Sequence, residues 1–305
     1  IIKKYLQQIW QIQLVSIIAE KKGNSTFYFM RHKSGEKQLK RYLGKTIPKN
    51  IERLKIEFLL EFYHNQWDPH IQMIYQKYQK ESKTIPMSIK IQNFENFGIY
   101  FTYNTQKIEG SKLTQEDTKD LLIHGITPNK KSKIDTIETL KHYDLFVTLV
   151  NSKLKKITLN TILNWHKEIF GQTKIGESGS IRTYNVGILG NDKIEFSTVP
   201  QIKPKLKKLF NLLDKYDGKI TPVELACIVH YNFINIHPFG DGNGRITRLL
   251  VDYILLKYNY PLMLIQNKDR KAYFKSLERS QLEDNSIHFL KWFMKYYIKN
   301  NKKYL

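Results

Sequence analysis

Cysteine and long apolar runs are the two features that this sequence conspicuously lacks. Cys227 is the only cysteine among 305 residues, which excludes a disulfide within the chain and predicts a buried free thiol in a reducing compartment. No apolar run approaches the roughly 18–20 residues that a membrane span needs. The first twenty residues are interrupted by lysines and have no small-residue cleavage site, so we expect no signal peptide. These features predict a cytoplasmic protein with no membrane segment.

Acidic residues and arginine are also scarce. The chain has 50 Lys and Arg against 28 Asp and Glu, a formal net charge of +22, and only eight of the cations are arginines. Because the lysines are spread along the whole length, general composition explains the charge, and nucleic-acid binding is the less favoured interpretation. A nucleic-acid or partner-binding module dominated by the basic N-terminal region stays open as an alternative.

We predict a small antiparallel β-meander of unknown role over residues 1–50. Segments 11–18, 25–30 and 38–43 are rich in β-branched and aromatic residues and are separated by turn sequences. A sheet of this size is marginal alone, so we expect it to pack on the helices that follow.

The rest of the chain is predicted to be mainly α-helical. We expect a helical linker over 51–90, with a break or kink at Pro69, and one helical domain over 91–305. The predicted helices cover residues 51–78, 93–108, 114–124, 134–150, 160–170, 202–213, 221–236 and 245–257. Capping boxes are predicted at Thr114 and Thr221, and a β-hairpin is predicted over 183–199.

The densest chemistry lies between His237 and Arg248, in the sequence His-Pro-Phe-Gly-Asp-Gly-Asn-Gly-Arg-Ile-Thr-Arg. Its glycines let phosphates approach a loop that opens a helix, where the dipole favours an anion. Arg245 and Arg248 share one helix face and suit a polyphosphate. Asp241 supplies the oxygen ligands that Mg²⁺ prefers, and His237 can act as a general base. Each residue alone is explained by a cap, a turn or solvation, but the full set favours a phosphate site.

This segment resembles the signature of the Fic family of nucleotidyl transferases, H-x-F-x-[D/E]-G-N-G-R-x-x-R. The residues at its fixed positions are His237, Phe239, Asp241, Gly242, Asn243, Gly244, Arg245 and Arg248, and all of them match. The resemblance covers residues 90–300 and implies a Fic-type helical bundle with a β-hairpin flap.

The resemblance implies a protein adenylyltransferase that transfers AMP from ATP to a Ser, Thr or Tyr hydroxyl of a target protein. His237 would be the general base, and Asp241 would hold Mg²⁺ on the phosphates. The residues implied to bind ATP are Gly242, Asn243, Gly244, Arg245, Arg248 and Tyr273. Helix packing is an equal alternative for Tyr273. Self-modification and a homodimer are further implications.

A second motif, Thr105-Gln-Lys-Ile-Glu-Gly110, resembles the inhibitory motif of the same family, [S/T]-x-x-x-E-[G/N]. Thr105, Glu109 and Gly110 match it. Because Arg248 cannot pair productively with both Glu109 and an ATP γ-phosphate, Glu109 is expected to inhibit transfer. In some relatives the same glutamate assists removal of AMP, which is the alternative activity. Transfer of phosphocholine or phosphate is another, and the intact Asn243-Gly244-Arg245 argues against the phosphate-transferring branch.

The predicted hairpin is expected to receive the target as an added strand, with Ile188 and Phe196 as clamp residues. Arg182 and His230 are expected to be structural, the latter as a core histidine. The other histidines are expected to be ordinary surface or helix residues: His32, His64, His70, His124, His142, His166 and His288.

Overall fold

The structure, a computed structural model, describes residues 15–34, 36–152, 156–188 and 191–305. It is mainly helical, with a three-stranded antiparallel sheet on the N-terminal side and a short β-hairpin between two helices. This confirms the fold class that the sequence predicts. No helix in those ranges has the length and apolar character that crossing a bilayer requires. The division into three sequence regions stays a prediction.

The N-terminal sheet is a meander in which the middle strand pairs with both neighbours. Its strands are β1 (Ser16–Lys22), β2 (Ser25–Ser34) and β3 (Lys37–Gly44). Both pairs are antiparallel, and Gly23 opens the first turn with a φ of 58°, which L side chains rarely adopt. The predicted meander is confirmed, although its predicted residues 11–14 lie outside the described residues.

One face of this sheet packs on the first helix. Met30 is completely buried, and the His32 ring lies edge-on to Phe62. The Nε2 atom of His32 lies 3.2 Å from the hydroxyl of Tyr63. A three-stranded sheet buries too little apolar surface alone, so this contact supplies its core, as expected. His32 is therefore a core residue, which corrects its assignment as an ordinary histidine.

Ten α-helices follow in the described residues. They are α1 (Ile51–Thr84), α2 (Met87–Ile108), α3 (Gln115–His124), α4 (Lys133–Asn151), α5 (Leu159–Phe170), α6 (Val199–Tyr216), α7 (Pro222–Ile236), α8 (Asn243–Lys257), α9 (Arg270–Leu282) and α10 (Ile287–Asn300). Strands β4 (Gly187–Ile188) and β5 (Asn191–Glu195) form the hairpin between α5 and α6. The predicted helices all exist, and most extend a few residues further than predicted.

Helix α1 continues through Pro69, where a break was one expectation. Tyr63 and Trp67 stack before the proline with ring centroids 4.8 Å apart. Ile71 and Ile74, after it, are fully buried. Because the same apolar stripe continues on both sides, packing compensates for the backbone donor that proline removes.

The predicted capping box at the start of α3 is confirmed. The Thr114 hydroxyl accepts a hydrogen bond from the Asp117 N–H at 3.0 Å, and the Asp117 carboxylate accepts one from the Thr114 N–H at 2.8 Å. Gly125 ends the helix in the left-handed conformation. Both ends of α3 are therefore determined by local sequence.

The capping box predicted at the start of α7 is only half formed. The Thr221 hydroxyl accepts from the Glu224 N–H at 3.2 Å, as expected. The Glu224 carboxylate instead lies 3.3 Å from Nε2 of His64 on α1. The prediction of a full box was wrong because a partner distant in sequence takes the carboxylate.

Helices α7 and α8 form the centre of the helical domain. Helix α7 is buried along most of its length and contains Cys227, whose thiol is free and fully buried, as predicted. Helix α8 is buried continuously from Asn243 to Leu255. A helix buried on all sides normally carries apolar residues alone. The arginines on α8 therefore require specific partners.

The hairpin is shorter than predicted, with pairing confined to β4 and β5. Its flanks are bonded to the end of α7 instead. The Arg182 N–H donates to the carbonyl of Pro238 at 3.0 Å, and the Ser197 N–H donates to that of Asn235 at 3.3 Å. The predicted range 183–199 was too long because these flanking groups bond outside the hairpin.

Replacing Thr114 with alanine should lower the free energy of unfolding by about 1 kcal/mol, because the cap of α3 is lost. Urea denaturation followed by circular dichroism measures this. Thr148→Ala is the matched control, since Thr148 is exposed in the interior of α4 and bonds the carbonyl one turn earlier. The control should change the free energy by less than about 0.5 kcal/mol. Equal losses in the two variants would contradict the capping role.

Candidate active site

The loop between α7 and α8 carries the candidate site. His237 ends α7 in the left-handed region, with φ 51° and ψ 61°. Gly242 opens α8 with φ 82°, and a Cβ there would strike the ring of Phe170. In the middle of the loop, the backbone of Phe239 is bonded to the Asn243 side chain. That side chain accepts from the Phe239 N–H at 3.0 Å and donates to the Phe239 carbonyl at 2.8 Å. Both ends of the loop and its middle are therefore fixed.

His166 supports this loop from α5. Its ring stacks on Phe239 with centroids 3.8 Å apart. Its Nε2 donates to the Asp241 carbonyl at 3.1 Å, and its Nδ1 accepts from the Gly179 N–H at 2.9 Å. Burial lowers the pKa of His166 to about 4, so the ring is neutral near pH 7. The assignment of His166 as an ordinary histidine was wrong, and no local spacing signals its role.

His237 is placed as a neutral base. Its Nδ1 donates to the Ile234 carbonyl at 3.1 Å, which leaves the lone pair on Nε2. The ring stacks on Phe196 with centroids 3.9 Å apart. Burial lowers the pKa of His237 to about 4. The structure thus brings together the predicted base and one of the two predicted clamp residues. Only the backbone of Ile188, the other clamp residue, is described.

Arg182 couples the hairpin to this histidine. Its side chain donates to the carbonyls of His237 at 2.8 Å, Tyr184 at 2.5 Å and Ser197 at 2.5 Å. Arg182 is 5% exposed, which agrees with the structural role expected for it. His237 and both flanks of the hairpin are consequently held by one guanidinium.

The first turn of α8 forms an anion-binding end. The N–H groups of Asn243, Gly244 and Arg245 have no partner within the helix, because no preceding turn supplies carbonyls. Their partial positive charge adds to the helix dipole. In this structure the Glu109 carboxylate occupies the space beside them, since a Cβ on Gly244 would strike its Oε1.

Arg248 joins α8 to α2 and is almost completely buried, with 3% of its surface exposed. Its Nε donates to the Thr105 hydroxyl at 2.6 Å, and its Nη2 donates to the Thr105 carbonyl at 3.2 Å. The same Nη2 lies 2.5 Å from Oε1 of Glu109. The two predicted motifs, more than a hundred residues apart in sequence, therefore meet at this guanidinium.

Gly110 fixes the position of Glu109 at the end of α2. It has a φ of 101°. The Gly110 N–H donates to the Lys107 carbonyl and the Ser111 N–H donates to the Gln106 carbonyl, both at 3.1 Å. These two bonds form a Schellman motif, which requires a residue that tolerates positive φ. The sequence pair Glu-Gly therefore has a structural reason: the glycine ends the helix where the carboxylate meets Arg248.

Arg245 is also buried, and its guanidinium is surrounded by partners. Nη1 donates to Gln106 at 3.0 Å and pairs with the Glu138 carboxylate, while Nη2 lies 3.2 Å from Asp241. The guanidinium also lies 4.4 Å from the centre of the Phe170 ring. Sequence reasoning missed Gln106 and Glu138, because only the fold brings α2 and α4 to this arginine.

Asp241 is ionised and half exposed. Its Oδ1 accepts from the Gly242 N–H at 2.6 Å, and its Oδ2 lies 2.8 Å from the Lys174 ammonium. Partial burial alone would raise its pKa, but Arg245 and Lys174 outweigh that effect and lower the pKa to about 2. Lys174 is a further residue of this site that the sequence did not indicate.

Tyr273 lies behind Arg248 in the core, with 1% of its surface exposed. Its hydroxyl is 3.0 Å from Nε2 of His230, and burial raises its pKa to about 12. Packing, the alternative given for Tyr273, accounts for this environment, and an adenine contact stays a prediction. His230 is a fully buried core histidine, as expected.

Comparison with known proteins agrees with this geometry. Residues 156–255 match the family model described as Fic/DOC family. This segment is therefore similar to a Fic domain. The chain is 29% identical over 179 residues to Protein adenylyltransferase Fic of Drosophila ananassae, covering 58% of this chain and 35% of that protein. Protein adenylyltransferase fic-1 of Caenorhabditis elegans is 29% identical over 208 residues, covering 66% and 39% respectively. The chain thus spans little more than a third of the length of these relatives.

A solved structure supports the same family. A Fic domain containing signaling protein from Bacteroides thetaiotaomicron superposes with a TM-score of 0.70 and 26% sequence identity. The superposition covers 77% of this chain and 95% of that one. Helices outside the family match therefore also have counterparts in a protein with a Fic domain.

Replacing Gly110 with alanine should destabilise the last turn of α2 by about 1 kcal/mol, because an L side chain is strained at positive φ. Hydrogen exchange of the amides in residues 106–111 should become faster. Gly187→Ala is the control, since Gly187 has an ordinary φ and open space around it. Unchanged exchange in the Gly110 variant would contradict the assigned role of this cap.

Proposed function

We propose that this chain is an autoinhibited protein adenylyltransferase, which transfers AMP from ATP to a Ser, Thr or Tyr hydroxyl of a target protein. The names of the two relatives support the reaction, and the Fic domain supports the fold that performs it. The observation that carries the proposal is the position of the Glu109 carboxylate, which lies on Arg248 and beside Gly244 at the start of α8. A built-in carboxylate there mimics the anion that the site would bind.

In this proposal the Nε2 of His237 removes the proton from the target hydroxyl as its oxygen attacks the α-phosphorus. The new bond joins that oxygen to the α-phosphorus, and the bond from this phosphorus to the bridging oxygen of the β-phosphate breaks. Pyrophosphate leaves with the electron pair, and the proton stays on His237. The hydrogen bond from Nδ1 to the Ile234 carbonyl stabilises the imidazolium that forms.

The phosphates would bind at the start of α8, through backbone N–H groups rather than through the guanidinium of Arg245. That guanidinium is already bonded to Gln106, Glu138 and Asp241. Arg248 is different, because its carboxylate partner is exchangeable. The Glu109 side chain is 28% exposed and is able to move away from the guanidinium. We therefore assign the γ-phosphate to Arg248 and a positioning role to the Arg245 side chain.

A magnesium ion fits Asp241. Its carboxylate is ionised and half exposed, and Mg²⁺ is often held by one carboxylate together with substrate phosphates. The described residues contain no group of three or more His, Cys, Asp or Glu side chains placed to hold a metal unaided. The ion would supply neutralisation of phosphate charge, and Asp241 would exchange its bond with Lys174 for it.

Inhibition follows from competition for one side of Arg248. With Glu109 in place, the Nη2 of Arg248 is occupied and a carboxylate lies beside the anion-binding turn. A γ-phosphate could not take the same position without like-charge repulsion. ATP would then bind with its α-phosphate misplaced for attack.

Removal of AMP from a modified target is a second candidate. The charge of Glu109 lies close enough to His237 to influence its pKa. Two such groups in one site are able to orient and deprotonate a water molecule. Glu109 would then be needed for removal while inhibiting transfer.

Target docking would use the hairpin as a template for an added strand. Phe196 stacks on the ring of His237, so a strand bound beside β5 would bring its hydroxyl towards the base. We keep Ile188 as the second clamp residue. Self-modification would need the same access to His237, and a homodimer stays a prediction.

Glu109→Gly should raise AMP transfer by at least about tenfold, because the competitor for Arg248 is removed. Labelled ATP with Mg²⁺ and a host lysate, read by gel and by intact mass, measures transfer to targets and to the chain itself. Glu109→Gly combined with His237→Ala is the control and should show no transfer. An equal rate in the single variant and the unmodified protein would contradict inhibition by Glu109. Faster loss of AMP from a purified modified target with Glu109 present would favour removal.

The rate of transfer by Glu109→Gly should be nearly constant from pH 6 to 8 and should fall as the pH decreases towards 4. His237 must be unprotonated to act as a base, and burial lowers its pKa to about 4. A folded-state pKa below the ordinary value of about 6.5 extends the active range to lower pH. A pH series at saturating ATP, within the range where circular dichroism shows the fold intact, measures this. A halving of the rate near pH 6.5 would contradict it.

A further inference from the structure

The N-terminal sheet is more basic, for its length, than the chain as a whole. Residues 15–50 contain nine Lys or Arg and only two Glu, whereas the whole chain has 50 basic and 28 acidic residues. Part of the charge thus lies on one element, and nucleic-acid binding, the interpretation that composition leaves less favoured, stays open. A concentration of cations on one element is typical of a surface that binds a polyanion.

The sheet has an outer aromatic face, on the side opposite to α1. Side chains alternate along a strand, so the burial of Met30 and His32 against α1 directs Phe27 and Phe29 to the other side. Tyr42 of β3 pairs with Phe29 in the register, and its ring lies 5.2 Å from that of Phe29 and 6.2 Å from that of Phe27. Tyr42 is 52% exposed. Three rings thus form one cluster in which the tyrosine is open to solvent.

Cations are interleaved with these rings. The Lys40 ammonium lies 4.1 Å from the centre of the Phe29 ring, and Lys45 lies 5.9 Å from that of Phe27. Arg31 pairs with Lys40 across the strands, so both share the aromatic face, and Lys33 follows two residues later. Arg31 and Lys33 are exposed. Two of the three rings, Phe27 and Phe29, therefore lie beside a lysine ammonium.

Acidic groups on this face are few. Glu20 of β1 lies 2.5 Å from the Lys40 ammonium, so its charge is compensated within the sheet. The positive charges of Arg31 and Lys33 remain. A sheet face that served only solubility would not need a large exposed ring, that of Tyr42, beside its cations.

We propose that this outer face binds single-stranded nucleic acid, with phosphates on Arg31 and Lys33 and a base stacked on Tyr42. Stacking requires an unpaired base with a free face, which a duplex does not offer. An acidic protein segment would satisfy the cations but would not use the aromatic rings. The combination of charge and exposed ring therefore favours single strands over both. This site is separate from the Fic domain loop and does not depend on the proposed function.

Fluorescence anisotropy of the full chain with a labelled oligo(dT) of about 15 nucleotides tests the proposal. Tyr42→Ala should weaken binding about tenfold with little change in salt dependence, because a stacking contact is lost. Arg31→Gln with Lys33→Gln should also weaken binding and should reduce the slope of log K against log salt by about 1.4, because two phosphate contacts are lost. Circular dichroism checks that each variant retains its fold.

Lys207→Gln with Lys208→Gln is the matched control, because both lysines are exposed on α6 and the change in net charge is the same. It should bind like the unmodified chain. Equal weakening by this control would show that general charge is responsible and would overturn the proposal. So would the absence of salt-dependent binding, or equal competition by a duplex of the same length or by poly-glutamate. None of these variants should alter AMP transfer. Failure of the nucleic-acid proposal would therefore leave the proposed AMP transfer unaffected, and the reverse also holds.

Discussion

Two buried guanidinium groups on one helix determine how the helices around the candidate site are assembled. A charge removed from water is costly unless it is paired and hydrogen-bonded. Arg245 and Arg248 lie in the first two turns of the buried helix α8, and their partners come from α2, α4 and the loop before α8. Because these partners must be present for the helix to be buried, the requirement for charge compensation fixes both the site and the helices around it.

The two arginines meet that requirement differently. Arg245 is compensated by Glu138, which is almost completely buried, and by Asp241. Arg248 relies on Thr105 and on Glu109, whose side chain is partly exposed. A buried carboxylate partner cannot be exchanged without leaving two charges uncompensated, whereas an exposed one can be replaced by another anion. Arg245 thus has a carboxylate partner that is held by burial, whereas Arg248 has one that another anion can replace. The two arginines lie within a single turn of helix.

Local signals predicted those parts of this molecule that are determined locally. The capping box at Thr114, the terminal glycine at Gly125 and the loop from His237 to Gly244 all depend on neighbours in sequence. The failures involve distant partners: Glu224 bonds His64, and the hairpin flanks bond the end of α7. His166, Glu138 and Lys174 surround the site, but no spacing in the sequence predicts that they do. A single sequence shows periodicity and motifs, but it does not show which buried polar group will meet which other one.

Glu109, the glutamate of the proposed inhibition, lies at the end of a helix that the core requires. At most 1% of the surface of Phe101, Thr102 and Ile108 on α2 is exposed. Departure of the helix would expose the core beneath these residues. Departure of the whole helix is therefore far more costly than opening of its C-terminal cap, where Glu109 and Gly110 lie at the surface. Under the proposed inhibition, activation would correspond to opening of this cap. The rate at which the cap opens, rather than a movement of domains, would then set how often the site is open.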